Sequence, residues 1–92
     1  MSDNRVSQVT EARLETDGRK DWALKAKRYI KRELKYKSVT YEELANRLKT
    51  MGIDETSGSI SMKIARGLYP TWFFFAVMRA IGAEEMRFRD LG

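Results

Sequence analysis

Val39-Thr40-Tyr41-Glu42-Glu43-Leu44-Ala45-Asn46-Arg47-Leu48 is the stretch on which the reading of this 92-residue chain turns. Thr40 and Glu43 stand three apart, the spacing of a capping box: the Thr40 hydroxyl takes the Glu43 amide while the Glu43 carboxylate reaches back. Leu44, Leu48 and Met51 then recur at helical spacing, and Gly52 supplies a stop. On the C-terminal side, residues 53–57 form a connection with Asp54, Thr56 and Ser57 as alternative caps. Ile60 and Ile64 mark another helix that stops at Gly67. Pro70-Thr71 opens one more over residues 72–81, closed by Gly82. Met86-Arg87-Phe88-Arg89 alternates as a short edge strand does, and fits a last helical turn equally well.

On the N-terminal side, the spacing predicts a helix that opens near Asp21, its N-cap, and ends before Ser38-Val39. At 100° per residue, Trp22, Ala23, Ala26, Tyr29, Ile30, Leu34 and Tyr36 share an arc of about 160°. Lys25, Lys27, Arg28, Lys31, Arg32 and Lys35 take the opposite arc. Residues 1–18 hold few sizeable apolar side chains and are expected to be a flexible polar arm. The expectation is therefore an all-α domain over residues 19–92, a compact bundle of four to five helices with an optional short C-terminal strand. Leu44, Ala45, Leu48, Ile60, Ile64, Phe74, Val77 and Ile81 would fill its core together with the first helix.

Charge is unevenly spread. The chain carries a net +5, with 18 Lys plus Arg against 13 Asp plus Glu. Residues 19–37 hold nine bases against two acids, residues 38–92 balance, and residues 1–18 are slightly acidic. The whole excess thus lies on the first helix. Such a face is often merely solvated; its sharper reading is contact with phosphates. Binding to an anionic membrane surface fits less well, because Trp22 and Ile30 are needed for so small a core.

The absences exclude whole classes of chemistry. With no His and no Cys, zinc-finger spacings, thiol nucleophiles and His-based triads are impossible within the chain. No phosphate-binding glycine loop occurs, so no catalytic residue, metal site or cofactor is expected. The longest apolar run, residues 72–78, is far shorter than a membrane span of about 20 residues. A cytoplasmic location without membrane contact is the expectation.

The capped helix of residues 39–48, with small Ala45, resembles the first helix of the helix-turn-helix in repressors of the phage lambda repressor/Cro type. The pattern continues in Ile60, Ile64, Arg66 and Gly67, and in Ala80-Ile81-Gly82 after the last helix. The run from Trp22 through Phe73-Phe74-Phe75 also resembles, more narrowly, a small bacterial family known as a domain of unknown function. That likeness rests on the opening Trp, V-T-Y-x-E-L-A, I-x-x-K-I-A-R-G and an aromatic last helix. The repressor resemblance implies binding to double-stranded DNA, with the helix after residue 56 facing the groove. It departs from the pattern in the turn, where Ala45 and Ile60 lie fifteen residues apart and about five residues are extra.

On this reading the DNA-binding candidates are Tyr41, Ser57, Ser59, Ser61, Lys63 and Arg66, with Lys27, Lys31 and Lys35 on the backbone. The serines discriminate bases poorly, since selective readout leans on Arg, Lys, Asn and Gln. Weak, backbone-dominated binding is therefore expected, and the serines fit simple helix capping as well. Phe73, Phe74 and Phe75 sweep about 200° of a helix and cannot all face one small core. Trp72, Phe73, Phe75, Met86 and Phe88 are thus candidates for a homodimer interface, with burial between the core and the tail as the alternative. The function expected is a dimeric transcriptional regulator, or else a protein-docking module on the same scaffold without DNA binding.

Overall fold

The computed structural model describes residues 18–91. Apart from Gly18, the polar arm expected over residues 1–18 lies outside the described residues. The fold is all-α, as the punctuation predicts: α1 (Gly18–Tyr36), α2 (Tyr41–Thr50), α3 (Ser57–Arg66) and α4 (Thr71–Ala80), then a short 3-10 turn (Phe88–Leu91). α1 begins at Gly18, three residues ahead of the expected start, and Asp21 sits in its first turn, where the helix dipole favours an acid.

The expected stops hold, and three of them share one geometry. Ser38, Gly52 and Gly82 take left-handed φ values of 57°, 84° and 79°. The next amide in each case bonds back five residues, Val39 to Leu34, Ile53 to Leu48 and Ala83 to Met78, all at 2.9 Å. These are Schellman closures, which satisfy the orphan carbonyls of a helix end and turn the chain inward. α3 ends instead directly at Gly67, with φ 64°.

α3 packs against both α1 and α2, α2 also meets α4, and the 3-10 turn lies on α1. Ile30 and Leu34 of α1, Leu44 and Leu48 of α2, Ile60 and Ile64 of α3 and Val77 of α4 meet in the core, with Ile81 beyond α4. Ala45 and Phe74 are only half-buried. Phe73 is the phenylalanine that is fully enclosed, which removes it from the expected dimer surface.

Two further expectations are corrected, and the choice left open for the tail is settled. Trp22 and Tyr36 lie on the apolar arc of α1 but are 60% and 79% exposed. The buried residues of α1 are Tyr29, Ile30 and Leu34, all in its C-terminal half, so the arc overstates its burial. The alternation at residues 86–89 forms no strand, and none occurs among the described residues. A four-helix body offers no sheet edge to pair with, and the tail closes as a helical turn. There the Arg32 guanidinium donates to the Asp90 carbonyl at 2.8 Å.

Candidate nucleic-acid interface

Apart from Arg19, the basic residues of α1, together with Lys37 just beyond its end, fall into two groups once their partners are known. Arg32 holds the tail and stands 5.3 Å from the Tyr29 ring centroid, Lys37 donates to the Gly82 carbonyl at 3.4 Å, and Lys25 sits 4.5 Å from the Trp22 ring centroid. These three charges serve packing and a helix end. Lys20, Lys27, Arg28, Lys31 and Lys35 have no ion-pair or hydrogen-bond partner among the described residues. Lys20, Lys27, Lys31 and Lys35 fall within about 80° of the helix circumference, and from first to last the stripe runs ~22 Å at 1.5 Å per residue.

The other helices add to both ends of this stripe. Near its C-terminal end, Lys31 and Lys35 share a shallow depression with Thr40 and Tyr41 at the start of α2. Burial pushes the Tyr41 phenol up from its ordinary pKa, so it stays a neutral hydroxyl at physiological pH. Near the N-terminal end, Lys20 and Lys27 border a second depression with Arg66 at the end of α3. Five of the nine expected DNA-binding residues, Tyr41, Lys27, Lys31, Lys35 and Arg66, therefore come to one side of the molecule. Lys20 and Arg28 join them. Lys20 was legible in the sequence as a member of the i, i+7, i+11 series, but a helix starting near Asp21 leaves it out.

The start of α3 is otherwise engaged. Thr56 is the N-cap, its hydroxyl accepting from the Ser59 amide at 3.0 Å while the Ser59 hydroxyl accepts from the Thr56 amide at 2.9 Å. Ser59 also donates to Glu55, and Lys63 forms an ion pair with that same carboxylate. The Glu55 side chain is only 6% exposed. Its burial raises the pKa, yet the hydrogen bonds from Lys63 and Ser59 outweigh that and hold the carboxyl below its ordinary value. Lys63 lies 5.0 Å from the Phe73 ring centroid. Ser59 and Lys63 are thus parts of the α3 cap, and Ser57 and Ser61 are half-buried. The outward positions of α3 are Gly58, Met62, Ala65 and Arg66, of which Arg66 alone carries a side-chain donor.

The dimer candidates divide too. Trp72 and Phe75 are 54% and 65% exposed on the outer face of α4. Met86 and Phe88 instead wall a cavity against α1. No group of three or more His, Cys, Asp or Glu among the described residues is placed to hold a metal ion. No helix among the described residues is long and apolar enough to cross a membrane.

Comparison with curated proteins and with solved structures finds no match for the chain. Comparison with protein families does: residues 22–86 match the family described as Domain of unknown function (DUF6471). The matched span runs from the exposed Trp22 to the cavity residue Met86 and takes in the whole core and most of the basic stripe. With some two thirds of its length inside that match, the chain belongs to the DUF6471 family.

Proposed function

We propose that this protein binds double-stranded DNA as a non-catalytic, dimeric regulator of transcription in the cytoplasm, holding the duplex chiefly through its phosphates. The observation that carries the reading is the unpaired stripe Lys20, Lys27, Lys31 and Lys35, extended by Tyr41 and Arg66. A row of cations with no internal partner suits a polyanion, and its ~22 Å length is about two thirds of a duplex turn. The capped α2, the packed α3 and the Gly67 stop support a repressor-type helix-turn-helix scaffold with a six-residue link, residues 51–56. The outward face of α3 carries little that distinguishes bases, so its part in binding is steric fit and one Arg66 contact.

Titration of fluorescent duplex at several salt concentrations tests this. Log K is expected to fall linearly with log salt. Lys27→Ala/Lys31→Ala/Lys35→Ala should make the slope shallower by about 2–3, near 0.9 per lost phosphate contact. No binding at about 50 mM salt, or a triple variant with an unchanged slope, overturns the proposal. Lys63→Ala is a poor probe, because it leaves the buried Glu55 carboxylate unpaired. A second reading, a protein-docking module without DNA binding, draws on the donor-poor α3 face and the exposed Trp72 and Phe75. It predicts no DNA affinity at any salt concentration.

A further inference from the structure

The outward face of α3 is apolar but for one residue. Gly58, Met62, Ala65 and Arg66 share about 100° of its circumference, and all four are exposed. Met62 is 55% exposed, while Ile60 and Ile64 of the same helix are fully buried. This face adjoins the free cations of α1, because Ala65 and Arg66 border the same depression as Lys20 and Lys27. Arg66 shares a further depression with Met62 and the exposed Leu68. The cavity against α1, about 300 Å³ and walled by Trp22, Tyr29, Tyr69, Phe74 and Phe88, lies on the opposite side of that helix from the stripe. A duplex held by the stripe therefore meets α3 and not the cavity.

Nothing within the fold calls for Gly58. Its φ is not positive, and a Cβ built on it would meet nothing nearer than the Thr56 hydroxyl oxygen at 3.8 Å. Glycine there weakens the helix relative to alanine, and its use is close approach to something outside the chain.

The major groove of DNA is about 12 Å wide and admits a helix. Within it, thymine alone among the four bases carries an apolar group, the C5 methyl, which a side chain reads by contact rather than by hydrogen bonding. A helix face poor in donors can read this feature. Small Gly58 and Ala65 let α3 come close, and the flexible Met62 adapts to a methyl. We infer that α3 enters the major groove and selects thymine-rich duplex by packing Met62 and Ala65 on thymine methyl groups. The inference rests on the DNA-binding reading of the α1 stripe and adds the base preference that phosphate contacts lack.

Competition titration of the full chain with two A·T duplexes, one containing thymine and the other deoxyuridine at every such position, tests it. The exchange removes the methyl and keeps every base-pair hydrogen bond. The thymine duplex is expected to bind about tenfold more tightly, near threefold for each buried methyl. The slope of log K against log salt should be the same for both, because a methyl carries no charge. A G·C duplex with 5-methylcytosine should likewise bind more tightly than its unmethylated counterpart, which separates methyl contact from A·T shape. Met62→Ser alters an exposed side chain and should cut the thymine preference to about threefold or less. Gly58→Leu should weaken binding to both A·T duplexes by about tenfold without lowering the unfolding midpoint. Salt-dependent binding with equal affinity for the thymine and deoxyuridine duplexes overturns this inference and leaves the phosphate-held reading standing. No binding to any duplex removes both. An unchanged preference in Met62→Ser, equal affinity for the two G·C duplexes, or unchanged binding by Gly58→Leu also overturns it. Should Gly58→Leu fail to fold, the thymine comparison in Met62→Ser decides alone.

Discussion

Gly67 carries a constraint that its place in the chain only half announces. As the residue after α3 it reads as a stop, and its φ of 64° fits that role. A Cβ built on it would stand 2.2 Å from the Ala23 carbonyl oxygen and 2.8 Å from the Ala23 carbonyl carbon, so the end of α3 rests on the backbone of α1. Gly52 has φ 84° but open space around it. Gly67→Ala is therefore expected to destabilise the fold by more than about 3 kcal/mol, against about 1 kcal/mol for Gly52→Ala, in paired denaturant titrations. Comparable losses would refute the close contact. Glu55 sets a second expectation. Its folded pKa lies below the ordinary value, so its contribution to stability is present above the unfolded carboxylate pKa. That contribution is lost as pH falls through the lower folded one. Unfolding free energies measured from neutral pH to about pH 3 should fall less steeply in Glu55→Gln than in the unaltered chain. Equal steepness would mean that the Lys63 and Ser59 bonds do not lower this group. Neither the contact nor the buried charge was legible in the sequence, because each depends on a residue many positions away or on burial of the linker.

At the scale of the element, the helix boundaries follow from local chemistry and were largely readable. The Thr40 and Glu43 box forms as its spacing demands, with the Thr40 amide donating to Glu43 Oε1 at 3.1 Å and the Glu43 amide to Thr40 Oγ1 at 3.1 Å. The second box, Thr56 with Ser59, was hidden among three adjacent caps; the choice fell to Thr56 because Ser59 closes the box from the third helical position. Thr56→Ala is expected to cost about 1 kcal/mol in chemical denaturation, and Thr40→Ala a similar amount. A loss near zero at Thr56 would show that the Glu55, Ser59 and Lys63 contacts hold α3 without the cap. α1 shows the limit of periodicity. The wheel separated its basic and apolar arcs correctly, but it gave Lys27 and Arg32 the same standing. Lys27 is half-buried and has no ion-pair or hydrogen-bond partner among the described residues, whereas Arg32 secures the tail. Trp22 passed for a core residue because the wheel records direction around an axis and not how far along it the body extends.

The whole molecule places two apolar features where no single helix reveals them. One is the walled cavity; the other is the outer face of α4, where Trp72 and Phe75 stand exposed while Phe73 closes the core. Adjacent exposed aromatics on so small a body suit a contact between copies. Sedimentation at increasing concentration is expected to show a dimer that Trp72→Ser/Phe75→Ser reduces to a monomer, with the melting of the monomer fold little changed. A monomer at every concentration would remove the interface, and with it the paired half-sites that a two-fold protein reads. The amino-acid sequence by itself determined the all-α class, four helices with their stops and the Thr40 cap of α2, and the concentration of positive charge on α1. Those properties depend on residues within a turn or two of one another, where hydrogen bonding and sterics act locally. Only the tertiary structure decided which cations are free, which phenylalanine is buried, and that Arg66 and Tyr41 flank the α1 stripe. The Tyr69 cavity was likewise settled only there. Each of these depends on which helix faces cover one another, and packing between segments distant in the chain determines that.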